Sequence, residues 1–153
     1  MIDTPPGINK FNIRVYGIFI KDSKVLLVKE NMNGIEFTKF PGGGLEFGEG
    51  LLDGLKREIY EELELETEVI SHFYTTDFFQ QSAFYKNEQL ISIYYKINII
   101  NCPDFEYFPL TCFQPGNHSL FFYWVDLNSL EMDEVTFPVD KTVVNKIKAH
   151  YFQ

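Results

Sequence analysis

Apolar and polar positions follow a period of two along most of the chain and shift to a helical period in two places. Phe11 to Ile20, rich in Ile, Val, Phe and Tyr, predicts a strand. Val25 to Lys29 predicts a second, after the turn-like Lys21–Lys24. Asn33-Gly34 is a strong hairpin signal, and Ile35 to Phe40 alternates behind it. Pro41 to Gly44 then breaks regular structure. From Glu49 to Leu63 the period becomes helical, with Leu52, Leu55, Ile59 and Leu63 on one stripe. Val69 to Tyr85 and Glu88 to Ile100 predict long strands, with Asn87 at a hairpin between them. Asn101 to His118 holds three prolines and predicts a loop or insertion. Ser119 to Asp126 predicts a last strand, and Pro138 to about His150 a closing helix with Pro in its first turn. Strands dominate beside two helices, so the expected class is α+β.

The predicted central helix carries an unusual charge pattern. At about 100° per residue, Glu58, Glu61 and Glu62 share an arc of roughly 100° beside the apolar stripe. That places three carboxylates at the rim of the core. Glu58 and Glu62 form a like-charge i,i+4 pair, unfavourable by about 0.2–0.5 kcal/mol when exposed. A hard divalent cation such as Mg²⁺ reverses the sign, because it takes oxygen ligands and keeps several waters for substrate phosphates to replace. The plain alternative is a solvated charged face. Gly50 and Gly54 lie on the same arc as the carboxylates. Each lowers helix propensity by about 0.8–1 kcal/mol relative to Ala, and a bare surface there predicts close approach of a metal or phosphate.

Composition narrows the classes. The chain has 153 residues, a net charge of −9, two cysteines and 17% aromatic residues. This length fits one domain, residues 1–153, able to bury its own core. The acidic balance argues against binding a nucleic-acid polymer, which calls for a basic patch, and against a polybasic membrane-surface role. The first seven residues lack the features of a signal peptide, and no apolar run is long enough to span a membrane. Cys102 and Cys112 are too few for a disulfide framework and are expected as free thiols. The expected setting is cytoplasmic. Gly43 to Glu68 holds nine acidic and two basic residues, so most of the negative charge sits in one segment. An acidic patch alone repels a phosphate substrate; joined to a cation, it can recruit one.

The segment Gly43 to Leu65 resembles the Nudix box, G-x5-E-x7-R-E-U-x-E-E-x-G-U, where U is a bulky aliphatic. Gly43 matches the first Gly and Glu49 the first Glu. Arg57-Glu58-Ile59-Tyr60-Glu61-Glu62 matches the core, and Leu65 the last aliphatic. Glu64 stands where the family has its second Gly, which predicts an altered helix exit. The aliphatic strand before Phe40-Pro41-Gly42-Gly43, the strand bearing Trp124 and the closing helix agree with the family over the whole chain. The resemblance implies a Nudix-type α/β/α sandwich with a mixed central sheet. It also implies metal-dependent hydrolysis of a phosphoanhydride, in a nucleoside diphosphate linked to another moiety or in a nucleoside triphosphate.

By the same resemblance, Glu58 and Glu62 are the principal ligands for Mg²⁺ or Mn²⁺, with Glu61 and the Gly42 carbonyl as further ligands. Arg57 orients a neighbouring carboxylate, and Glu49 braces the junction of loop and helix. Glu61 is one candidate general base; Glu88, Asp104 and Glu106 are others. The partner implied is a nucleotide-type small molecule, and a homodimer is compatible with the family. Phe37, Phe40, Tyr74, Phe78, Phe79, Phe84 and Tyr85 are candidates for stacking on a base, while His72 and His118 read as structural or surface residues. Gln80-Gln81-Ser82-Ala83 and Tyr85 match none of the family's substrate-subgroup markers cleanly. Two other readings are a non-catalytic Nudix-fold ligand sensor and a Nudix-type prenyl diphosphate isomerase. The three intact box glutamates disfavour the first, and the short length the second.

Overall fold

A computed structural model of the chain describes residues 5–104 and 108–152. Eight strands and two α-helices follow one another as β1 (Lys10–Lys21), β2 (Lys24–Met32), β3 (Ile35–Lys39), β4 (Gly42–Gly44), α1 (Leu51–Leu63), β5 (Thr67–Thr75), β6 (Glu88–Ile99), β7 (Leu110–Gln114), β8 (His118–Asp126) and α2 (Pro138–Tyr151). A short 3₁₀ turn, Met132–Glu134, precedes α2.

The main sheet path runs β5-β6-β1-β2-β8-β7, with β3 paired to β2 and β4 to β1. It is mixed: β1 and β6 run parallel in ten register pairs from Lys10↔Glu88 to Phe19↔Ile97, and the other pairs are antiparallel. Strand alternation explains why the sheet lies between two helices. In β2, Val25 and Leu27 join a cluster with Val139, Val143, Val144 and Ile147 of α2. Leu26 and Val28 join the opposite cluster with Leu55, Ile59 and Leu63 of α1. Successive side chains point to opposite faces, so four consecutive buried aliphatics require a cover on both sides. The result is the α/β/α sandwich. Truncating any of the leucines or isoleucines among these to Ala removes about 2–5 kcal/mol of stability.

Short hairpins form where the sequence places them. Asn33 and Gly34 both have positive φ, 54° and 84°, as a type I′ turn needs. Three expectations are corrected. The strand predicted over Val69–Tyr85 ends at Thr75. Residues 76–87 form a long loop instead of a tight hairpin at Asn87, joined to the sheet at the Gln81↔Gln89 bridge and by backbone bonds such as those from the Thr76 amide to the Ser92 carbonyl and from the Lys10 amide to the Asn87 carbonyl. Polar side chains divert it: Asp77 accepts from the Tyr74 hydroxyl, and Ser82 Oγ accepts from the amides of Phe84 and Tyr85 at 3.1 and 3.2 Å. The region predicted as loop over Asn101–His118 contains β7, which pairs with β8; Leu110 and Cys112 turn inward against the α1-side core. Finally, Leu52 is 42% exposed although it shares the helical stripe, because it lies in the first turn of α1. Among the described residues no helix is long and apolar enough to cross a membrane.

Candidate functional site

The box residues meet where β4 and the following loop face α1. Arg57 organises the group. Its Nε and Nη2 donate to the two Glu49 oxygens at 2.9 and 2.7 Å, a bidentate pair. Nη2 also donates to the Gly44 carbonyl at 3.1 Å. Nη1 reaches Glu58 at 3.0 Å and Glu61 at 3.2 Å. Glu49 in turn accepts from the Glu46 amide at 2.8 Å. Hydrogen bonding to Arg57, and then to that amide, holds the Glu49 carboxyl down to about 2. The loop, the start of α1 and two box carboxylates are thus joined through one guanidinium.

Two glycines make room for this arrangement. A Cβ on Gly43 would lie 2.6 Å from the Glu58 carboxylate, so the bare backbone lets Glu58 pack directly on β4. Gly54 serves a different purpose from the one expected. A Cβ there would meet Leu45 at 2.7 Å and Glu49 at 2.9 Å, so the helix surface is covered by protein rather than open to a ligand. Gly50 is the N-cap of α1.

Glu64 also departs from expectation. It adopts φ 55°, ψ 29°, the left-handed conformation usual for a C-terminal Gly. Its amide donates to the Tyr60 carbonyl at 2.8 Å. The helix therefore exits by a left-handed cap even though the residue is not Gly.

Glu62 differs from its neighbours. Its Oε2 is buried and has no hydrogen-bond partner. Burial, followed by the charges of Glu58, Glu30 and Glu61, pushes its carboxyl up to about 8 against the opposing pull of Lys39. Lys39 is itself buried, with Nζ 3.0 Å from Glu30 and 3.0 Å from the Gly42 carbonyl. His118 meets the other Glu30 oxygen at 3.0 Å. Among the described residues no three His, Cys, Asp or Glu side chains converge as a ready-made metal site; Arg57 holds Glu49, Glu58 and Glu61, and the charge of Lys39 acts on Glu62.

Beside this group lies a cavity of about 270 Å³. Phe37, Phe84 and Phe137 form one wall, their rings packed at 5.2 to 6.4 Å between centroids. Arg14, Glu30, Lys39 and Asp140 bring charge to the lining, and Asn12, Gln80 and Ser92 bring neutral polar groups. Asp140 is buried in α2 and accepts from the Tyr94 hydroxyl. Burial raises its carboxyl to about 6, against the opposing Tyr94 hydrogen bond and the Lys39 and Arg14 charges. Gln80 Oε1 accepts from the Val139 amide at 3.0 Å, tying the 76–87 loop to the first turn of α2.

Of the aromatic candidates, Phe37, Phe84 and Tyr85 line the cavity. Phe40 and Tyr74 belong to the core, whereas Phe78 and Phe79 are exposed and outside the lining. Of the candidate bases, Glu61 is joined to Arg57. Glu88 is bound to Lys10 and Asn12 at 2.9 and 3.1 Å. It pairs with Lys10, five positions along β1 from the Val15↔Gly43 pair, or about 17 Å at strand spacing, so the fold keeps it away from the box. Asp104 is exposed in the loop after β6, and Glu106 lies outside the described residues. His72 pairs with the Thr75 hydroxyl. Cys102 and Cys112 are free, and burial raises both thiols.

Arg14, Glu30, Lys39 and Asp140 were not among the sequence candidates, although a signal for two of them was present. Lys39 shares a strand face with Ile35 and Phe37, and Asp140 falls in phase with Val143, Val144 and Ile147. A charge on an apolar stripe marks a buried polar site.

Comparison with solved structures gives the same architecture. The chain is similar to the E. coli ORF135 protein at 19% identity and TM-score 0.68, covering 95% of this chain and 94% of that one. It matches a NUDIX hydrolase from Nitrosomonas europaea at 17% and 0.70 (92% and 90% covered). It matches a MutT NUDIX hydrolase from Burkholderia pseudomallei at 16% and 0.70 (91% and 99% covered). These likenesses define the class of fold. No curated protein sequence matches the chain. The NUDIX domain family model matches residues 11–146, and the chain belongs to the Nudix hydrolase family.

Proposed function

We propose that this protein hydrolyses a phosphoanhydride bond, in a nucleoside diphosphate linked to another moiety or in a nucleoside triphosphate, with Mg²⁺ or Mn²⁺ as cofactor. The observation that carries the reading is the partnerless, buried Oε2 of Glu62, on the same helix as Glu58 and Glu61 and near an aromatic-walled cavity. A buried carboxylate oxygen without a donor is costly by itself and fits a cation. Glu58 and Glu62 would hold the ion, with Glu61 and the Gly42 carbonyl as further oxygen donors. When bound, the ion supplies charge screening for the phosphates and a lowered pKa for a coordinated water.

The chain's own residues perform the remaining tasks. Arg57 holds Glu58 and Glu61 at fixed positions and braces them through Glu49, so it acts as a positioning residue. Glu61, more than half exposed, is open to solvent and is the residue we assign to accept a proton from attacking water. Arg14 offers positive charge to the phosphates from the cavity wall. The cavity lies just below the roughly 300–1,000 Å³ usual for ligand pockets. Lined by Phe37, Phe84 and Phe137 together with Asn12 and Ser92, it suits a base or nucleoside rather than a whole dinucleotide.

The test is a screen of nucleotide sugars, dinucleotides and nucleoside triphosphates with Mg²⁺, following phosphate or nucleotide release. Cleavage of at least one class is expected, and Glu62→Gln should lower turnover on the order of 10²-fold or more. No cleavage across the panel, or an unchanged Glu62→Gln rate, would overturn the reading.

A further inference from the structure

Lys39 has no part in the proposed chemistry, yet its ammonium lies at the centre of the site. Its Nζ donates to the Gly42 carbonyl at 3.0 Å, the backbone oxygen offered above as a metal ligand. It also meets Glu30 at 3.0 Å, and its charge acts on Glu62. It lines the cavity beside Arg14. The side chain is 5% exposed, so the ammonium has no bulk water to retreat into. An ammonium and a divalent ion on the same carbonyl oxygen would be like charges a few ångströms apart, and in a poorly solvated site these repel strongly.

We propose that Lys39 is a tethered cation that competes with the divalent metal for the Gly42 end of the carboxylate site and so weakens metal binding in the substrate-free protein. The inference rests on the metal-dependent reading above. Gly42 accepts the ion more readily once the ammonium leaves it. The cavity that Lys39 lines offers a destination once an anionic substrate is present, which couples metal loading to substrate.

The test is Mn²⁺ binding to the purified protein without substrate, read from the free-ion signal in electron paramagnetic resonance. Lys39→Met is expected to bind Mn²⁺ roughly tenfold more tightly than wild type, the scale on which a neighbouring charge acts on an ionised group. Glu62→Gln is measured alongside and is expected to lose the site. Because Lys39→Met leaves Glu30 short of a partner, a Glu30→Gln/Lys39→Met variant is compared with Glu30→Gln alone, and the same tightening is expected. Circular dichroism checks the fold of each, and the double variant decides the matter if the single one unfolds. If Glu62→Gln abolishes binding while removal of Lys39 leaves it equal or weaker, the competition is refuted and the metal reading stands. If Glu62→Gln leaves Mn²⁺ binding unchanged, the metal reading itself fails.

Discussion

Single residues here carry conformational burdens that a substitution can separate from chemistry. Glu64 occupies a left-handed cap, unfavourable for a side-chain-bearing residue by roughly 1–2 kcal/mol, and adds a negative charge at the negative end of α1. Glu64→Gly is therefore expected to raise stability by about 1 kcal/mol, checked by urea or thermal unfolding, with little change in turnover. Gly43→Ala should behave in the opposite way. The atoms nearest to the added methyl are the flexible end of Glu58, so the fold is expected to survive while Glu58 is displaced. Activity should fall at least tenfold with near-unchanged circular dichroism. The box residues were legible because their spacing is local to one turn and one helix. Gly54 was misread because its neighbours, Leu45 and Glu49, reach it by folding back over the helix start, a contact no helical projection contains.

At the scale of elements, the least legible piece was the segment after β5. Its aromatics carry strand propensity, but Ser82, Gln80 and Asp77 spend their polar groups on local turns and on α2. β7 was hidden by the prolines around it and has its meaning only as a partner for β8. Because Gln80 caps α2 from the loop, Gln80→Ala is expected to destabilise by about 1 kcal/mol, as loss of a helix cap does. It should also speed proteolysis within 76–87. Phe84→Ala removes part of the aromatic wall of the cavity and is expected to raise KM more than it lowers kcat; steady-state kinetics on whichever substrate is cleaved checks this.

Across the whole molecule, Asp140 links the α2 layer to the sheet through Tyr94, and its position makes stability depend on pH. Its folded-state pKa of about 6 lies above the ordinary 3.8, so between these values the folded state holds a proton that the unfolded chain has lost. Its contribution is greatest below pH 4 and declines as pH rises towards 6, by at most about 3 kcal/mol. Asp140→Asn keeps an acceptor for Tyr94 and removes this decline. The stability of the variant relative to wild type should therefore increase between pH 4 and 7, measured by chemical denaturation at each pH. The sandwich itself was legible from β2, whose four buried aliphatics demand cover on both faces. The strand order was not, because it depends on partners far apart in the chain. That separation has a consequence for assembly. β1 is made well before its parallel partner, β6, which ends at Ile99, and the two meet residue for residue from Lys10↔Glu88 onward. Closing such distant segments is slow. As the polypeptide emerges from the ribosome, β1 must wait, with Val15 and Phe19 unshielded, until β6 has followed it. Ribosome-bound chains truncated before β6 should accordingly recruit chaperones, and those extending through α2 should release them.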